Sequence, residues 1–189
     1  TRVRSSAASD VYKRQVKTGY TKALALNSDI IVKLDGDGQM NPEDILKLVD
    51  PILRESADYA KGNRFYDVEA ILKMPKIRII GNLVLSFISK LSTGYWMIFD
   101  PNNGFTAISA KALRDVPLHK IDDRYFFESD ILFRLNLLRA DVIDVSLPAI
   151  YGTETSNLSV TRALFEFLYK HNRNFWKRIV YSYFLREFT

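Results

Sequence analysis

An α/β fold, with a sheet covered by helices on both faces, is the architecture this sequence predicts, and three observations carry it. Helical apolar spacings alternate with short β-branched runs along the chain. One run, Ile30-Ile31-Val32-Lys33-Leu34, empties into the acidic glycine loop Asp35-Gly36-Asp37-Gly38-Gln39, and open α/β sheets bind ligands at such carboxyl ends of strands. The chain has 189 residues, 47% hydrophobic and 26% charged, which is enough for one domain with a packed core.

The elements follow in order. Tyr20, Ala23 and Leu24 fit a short helix over Val16 to Leu26, and Asn27-Ser28-Asp29 ends it before the strand at 30–34. Asn41-Pro42-Glu43-Asp44 reads as an N-cap, an N1 proline and an acidic first turn, so a helix of about three turns runs on through Leu53. Tyr59-Ala60-Lys61 is a weak strand leading into Gly62-Asn63-Arg64-Phe65. From Lys76 to Leu91 a helix places Ile77, Ile80, Val84, Phe87, Ile88 and Leu91 on one stripe, and Arg78, Asn82 and Ser86 on another. The turn-rich Asp100-Pro101-Asn102-Asn103-Gly104 precedes a strand over Phe105 to Ile108. A helical piece from Ala110, a loop around His119 to Arg124, a helix from Glu128 to Arg139 and a strand over Val142 to Leu147 complete the body. The last 28 residues are aromatic and basic, at helical spacing.

Composition excludes several functions. With no cysteine the chain has no disulfide framework, no thiolate metal site and no catalytic thiol. The longest uncharged run, between Arg78 and Lys90, is far shorter than the roughly 20 apolar residues of a spanning helix. The net charge of +5 is segregated: residues 1–15 carry +3 and 162–189 carry +4, leaving −2 for 16–161. An acidic body argues against a nucleic-acid partner, even though nine aromatics in the tail could stack bases. Nine aromatics with six cations fit amphipathic helices lying on an anionic membrane surface; packing of the same stripe onto the body is the alternative. Ser5 to Gln15, SSAASDVYKRQ, resembles the in-frame translation of a sequencing adapter. Residues 1–15 are therefore expected to be non-native, with 16–161 the C-terminal part of a larger domain and 162–189 membrane-surface amphipathic helices.

The strongest chemical signal is Asp35-x-Asp37. Two carboxylates two residues apart on a glycine-bent loop can present oxygens to one hard divalent cation, and Gln39 can add an amide oxygen. On pattern alone the segment reads equally as an acidic turn. An EF-hand is excluded because its twelfth position is Leu46. Arg64 can reach a phosphate or stand as a solvated surface arginine; Arg78 and Asn82 share a helical face that suits an anion or is simply polar. Glu128 and Asp130 begin a helix, where carboxylates favour the dipole in any case, or supply a general base. Asn103 and Gly104 can close over a ligand or only turn the chain. His119 and His171 have no partner at metal spacing, and His171 is expected to add to the basic face.

Five motifs occur in order: Leu34-Asp35-Gly36-Asp37-Gly38-Gln39 with Pro42-Glu43, Gly62-Asn63-Arg64-Phe65, Arg78 with Gly81-Asn82, Asn103-Gly104-Phe105, and Phe127-Glu128-Ser129-Asp130. Together they resemble the family 2 glycosyltransferases, nearest to the dolichyl-phosphate-mannose-synthase-like members, over nearly all of 16–189. The resemblance implies part of a nucleotide-sugar-binding GT-A (Rossmann-like) sheet with flanking helices and a C-terminal amphipathic helical tail. It also implies metal-dependent, inverting transfer of a hexose from a nucleotide diphosphate sugar to a polyprenyl phosphate or other membrane-associated glycan acceptor.

By resemblance, Asp35, Asp37 and Gln39 would hold Mg²⁺ or Mn²⁺. Asp35, Asp37, Arg64, Asn103 and Gly104 would bind the donor, Arg78 and Asn82 the acceptor phosphate, and Glu128 and Asp130 would be catalytic. The expected location is the cytoplasmic membrane face, with anchoring transmembrane helices beyond Thr189. The base-binding N-terminal half of the family's domain would lie upstream, so this chain by itself is expected to be inactive. A non-catalytic membrane-surface domain with the same fold is the alternative.

Overall fold

Alternating helix and strand patterns produce a four-stranded mixed sheet with helices on both faces in the computed structural model, which describes residues 2–36, 38, 40–65, 76–123, 126–148 and 160–186. Helix α1 (Arg2–Ala25) leads to strand β1 (Ile30–Lys33). A 3₁₀ turn (Pro42–Asp44) opens α2 (Ile45–Leu53), followed by β2 (Tyr59–Asn63) and α3 (Lys76–Thr93). Then come β3 (Thr106–Ser109), α4 (Ala110–Asp115), α5 (Phe127–Leu137), β4 (Val142–Ser146) and α6 (Val160–Ile179), which continues as a π-helical stretch over Val180–Arg186. Residues 160–186 thus form one continuous helical segment rather than separate helices.

Local sequence explains most boundaries. Asn41 caps its helix by accepting from the Glu43 amide at 3.1 Å, with Pro42 in the first turn. Asn27, at φ +55°, takes the left-handed position that ends α1. Helix α1 begins well before the expected Val16, because residues 2–15 contain neither glycine nor proline and several alanines and arginines.

The sheet order is β1-β3-β2-β4. Strand β3 runs antiparallel to both neighbours, pairing Thr106 with Lys33 on one side and with Lys61 on the other. Strands β2 and β4 are parallel, with Lys61 opposite Asp144. The carboxyl ends of β1, β2 and β4 therefore meet the start of β3 along one edge. On one face Ile31, Tyr59 and Ile108 pack with Tyr20, Leu113, Ile131 and Leu135 of α1, α4 and α5. On the other, Ala60, Phe105 and Ala107 pack against Leu48 and Ile52 of α2. The first face turns polar towards the edge, with Lys33, Thr106, Lys61 and Asp144 side by side.

Helix α3 reverses the burial its pattern suggests. Ile80, Val84 and Phe87 of its apolar stripe are about half exposed, while Ser86, Ser89, Ser92 and Thr93 are buried. Small hydroxyl side chains let α3 approach α6 closely, and their protons are satisfied locally: Ser92 and Thr93 donate to the Ser89 carbonyl, and Ser86 to that of Phe99. His171 of α6 completes this contact through a 2.6 Å hydrogen bond with Ser92, an edge contact with Phe126 and a tilted contact with Phe167. It is buried, not part of a basic face, and burial pushes its pKa down to about 4.

That shift has a sign. Between about pH 6.5 and pH 4 the unfolded chain binds a proton on this imidazole that the folded chain refuses, so the His171 contribution to stability falls with pH through that window. Urea unfolding of the native chain should weaken from pH 7 to pH 4.5 more steeply than that of His171→Gln. Parallel curves would refute the burial of a neutral imidazole.

Candidate active site at the carboxyl edge of the sheet

The Lys33 ammonium organises this edge. Lysine in a β-branched strand normally points to solvent, but Lys33 is 7% exposed. Its Nζ donates to Asp35 Oδ1 at 2.8 Å and to the Gly104 carbonyl at 3.0 Å, and lies 3.5 Å from Glu128 Oε1. Three segments far apart in sequence, the loop after β1, the turn before β3 and the first turn of α5, converge on one cation. Gly104 is required by close approach: a Cβ there would stand 2.1 Å from Asp35 Oδ2 and 2.6 Å from Lys33 Nζ.

A second lysine lies across β3. Lys61 is fully buried and donates to the Asn103 carbonyl. Burial pushes its pKa down to about 8, against the opposing pull of the Glu128 and Asp100 carboxylates. Between the lysines, Thr106 takes hydrogen bonds with Tyr20 and Tyr59, whose hydroxyls burial keeps protonated. Neither lysine stood out in the sequence, since each is a single polar residue inside a strand pattern. Only their pairing across Thr106 marks them.

The other sequence-predicted residues divide by what they touch. Asn103 is buried and holds backbone, donating to the Gly62 carbonyl at 2.8 Å and accepting from the Phe105 amide at 3.0 Å. Arg64 is clamped by the buried Asp100, with Nε and Nη2 at 2.7 and 3.1 Å from its two oxygens. Asn103 and Arg64 line a small cleft of about 20 Å³ with Met40, Asn41 and Asp44, which joins the loop after β1 to that after β2. Both Asp130 oxygens are engaged on the α6 side: Oδ1 accepts from Asn174 at 3.0 Å, and Oδ2 from the Asp122 amide and Arg134. Asp130 thus ties α5 to α6 on the flank away from Lys33, whereas Glu128 faces the edge. Asn82 is half-buried on α3 and has no hydrogen-bond partner among the described residues; the Arg78 side chain, Asp37 and Gln39 lie outside them.

Of the three expected metal ligands only Asp35 lies among the described residues, and its carboxylate is of the hard-oxygen type that a divalent cation takes. Its hard carboxylate oxygen lies in the cradle left by the missing Gly104 side chain, where any larger residue would displace it. Among the described residues no group of three or more His, Asp or Glu side chains could hold a metal ion by itself, so a cation here needs further ligands.

The pattern of the glycosyl transferase family 2 matches residues 14–117, more than half of the chain. The chain belongs to that family. It is 35% identical over 150 residues to UDP-N-acetylglucosamine--dolichyl-phosphate N-acetylglucosaminyltransferase of Methanococcus voltae, covering 79% of this chain and 59% of that protein. It is 25% identical over 130 residues to undecaprenyl-phosphate mannosyltransferase of Micrococcus luteus, covering 68% and 52%. In three dimensions it is similar to glucosyl-3-phosphoglycerate synthase from Mycobacterium tuberculosis in complex with Mn²⁺, UDP-glucose and glycerol 3-phosphate: TM-score 0.53, 18% identity, 79% of this chain and 49% of that one. This last likeness is one of fold, and it agrees with the α/β sheet expected from sequence. The family 2 chain described here spans about three-fifths or less of the length of these relatives.

Two outcomes follow from this geometry. Gly104→Ala must push Asp35 and Lys33 apart, and urea unfolding should show a loss of about 1–3 kcal/mol, the usual cost of forcing atoms into a filled site; a loss near zero would mean the cradle is slack. Lys61, depressed to about 8, makes the folded chain bind fewer protons than the unfolded one between about pH 8 and 10.5, so its contribution to stability rises across that range. Lys61→Met should remove that rise, and an unchanged pH slope would contradict the buried position.

Proposed function

We propose that the protein to whose catalytic domain this chain contributes the C-terminal part transfers a hexose-type sugar from a nucleotide diphosphate to a polyprenyl phosphate, with inversion and with Mg²⁺ or Mn²⁺ at the Asp35 loop. The observation that carries it is the convergence of Asp35, Gly104 and Glu128 on Lys33 at the carboxyl edge of a family 2 sheet. The acceptor class is supported by the dolichyl- and undecaprenyl-phosphate relatives, and a divalent cation by the Mn²⁺ complex of the structural neighbour.

The residues divide the work as follows. Asp35, with Asp37 and Gln39 of the same loop, would hold the cation, which when bound offsets charge on the departing nucleoside diphosphate. Arg64 and Asn103 shape the donor cleft, Arg64 held in place by Asp100. Gly104 lets the backbone approach Asp35, and Arg78 with Asn82 is the candidate phosphate-holding pair of the acceptor. In a single displacement an acceptor oxygen bonds to the anomeric carbon while the bond from that carbon to the diphosphate oxygen breaks, inverting the centre. A phosphate acceptor arrives already ionised above its second pKa of about 6, so no proton has to be removed. Glu128, itself held by Lys33 Nζ at 3.5 Å, is then the catalytic carboxylate that borders the acceptor position; toward a hydroxyl acceptor it is placed to act as base. Asp130 acts by holding α5 against α6, so that Glu128 keeps its position.

Residues 162–189 are proposed to lie on the cytoplasmic face of an anionic membrane, with Phe165, Tyr169, Trp176, Tyr183 and Phe184 exposed on α6 and its extension. No helix among the described residues is long and apolar enough to cross a bilayer. Residues 1–15 are proposed to be non-native, with the native part of this chain running from near Val16 as a piece of a longer reading frame.

Transfer is to be measured in a protein of the relatives' full length carrying this chain, with labelled UDP-N-acetylglucosamine and dolichyl phosphate. EDTA should abolish turnover and added Mn²⁺ restore it; Asp35→Ala should be inactive. Glu128→Gln should lower kcat by roughly 10²-fold, the cost of misplacing a reacting group by about 1 Å. Turnover that survives EDTA would overturn the metal assignment, and an active Asp35→Ala would overturn the site.

A further inference from the structure

A groove of about 680 Å³ lies between α5 and α6, within the usual range of about 300–1,000 Å³ for ligand sites. Its polar wall is cationic: Lys120, Arg134, Arg173 and Lys177 line it, and no carboxylate does. Asp130 neutralises Arg134, but Lys120, Arg173 and Lys177 form no ion pair with any described carboxylate, which leaves three positive charges around one cavity. Arg134 and Arg173 each also carry a buried Nε–H with no hydrogen-bond partner, a costly state that an anionic ligand would relieve on small side-chain adjustment. Interleaved with these cations along the two helices, Phe133, Leu137, Trp176, Val180 and Leu185 give the same groove an apolar lining.

We propose that this groove binds the phosphate headgroup and adjoining acyl methylenes of an anionic phospholipid. A free phosphate would use only the cations. A ligand that also meets the apolar lining carries hydrocarbon beside its negative charge. Trp176 and Tyr181 stand on the wall as half-exposed rings, the residue type that settles at headgroup level. The site is distinct from the sugar-transfer edge, because Glu128 and Asp130 leave α5 about 200° apart and the groove opens on the Asp130, Arg134, Leu137 side. The inference rests on the membrane-surface part of the proposed function for the source of its ligand, and not on the transfer reaction.

The chain has two tryptophans, so Trp96→Phe leaves Trp176 as the sole indole reporter in the groove. Vesicles containing about one-third brominated phosphatidylglycerol in phosphatidylcholine should quench Trp176, and pure phosphatidylcholine vesicles with the same bromine content should not. Arg173→Gln with Lys177→Gln should weaken vesicle binding by roughly tenfold or more, while Lys111→Gln with Arg114→Gln, exposed on α4, should change it less than about twofold. Equal losses in both pairs would reduce the effect to overall charge and overturn the site. So would absent quenching, saturation of the groove by inorganic phosphate alone, or equal quenching by a single-stranded oligonucleotide. If the groove variant fails to fold, the Trp96→Phe measurement decides alone. None of these readouts involves sugar transfer, so failure here leaves the transferase reading standing, and the reverse.

Discussion

One buried ammonium sets the geometry of the functional edge. Taking a charge out of water costs several kcal/mol, which is repaid only where oppositely charged and polar groups surround it at hydrogen-bond distance. Lys33 meets that condition with Asp35, the Gly104 carbonyl and Glu128, which lie up to 95 residues from it in the chain. Each partner is thereby fixed relative to the others: moving the loop after β1 or the first turn of α5 would strand a charge. Asp35 and Glu128 would otherwise repel each other; the lysine between them lets two carboxylates share a small space.

Helix α5 transmits this arrangement outward. Its first turn carries Glu128 on the sheet side and Asp130 on the α6 side, and Asp130 is fully used by Asn174, Arg134 and the Asp122 amide. Lys170 of α6 pairs with Asp122 at 2.6 Å, adding a second tie between the tail and the loop before α5. The α6 position is therefore linked mechanically to the placement of Glu128. The His171 and Ser92 contact adds α3 to the same linkage, with Ile80, Val84 and Phe87 of its apolar stripe about half exposed.

Much of this fold was legible in the sequence. Strong periodicity and punctuation, as at Asn41-Pro42 and Asn27, located the helices and strands to within a residue or two, because those boundaries are set by local backbone chemistry. The upstream extension of α1 was not, since residues 2–15 have helix-forming composition without an apolar stripe. The outward face of α3 was misleading for a physical reason: helix burial follows which surface a neighbour can approach, and a serine face admits a closer helix than an isoleucine face. At the site, Asp35, Gly104 and Glu128 were visible as loop and cap residues, while Lys33 and Lys61 were hidden inside strands. Asp130 carried the same signal as Glu128, and only the helix rotation between them separates the edge from the α6 clamp.

The charge balance of the edge bears on the chemistry proposed for it. Lys33, Lys61 and Arg64 stand against Asp35, Asp100, Asp144 and Glu128, so the described groups leave the edge slightly acidic. Lys61 is the weakest of the cations, its burial holding its pKa near 8. A nucleotide diphosphate approaching such an edge meets no surplus of positive charge: the arginine is already clamped and both lysines are committed to internal acceptors. Side-chain cations alone therefore do not make an anion site here. A divalent ion at the Asp35 loop would reverse the local sign, and the glycine at 104 keeps one Asp35 oxygen in an uncrowded cradle. The internal pairing of the lysines thus favours a metal-dependent donor site over one in which lysine and arginine hold the diphosphate.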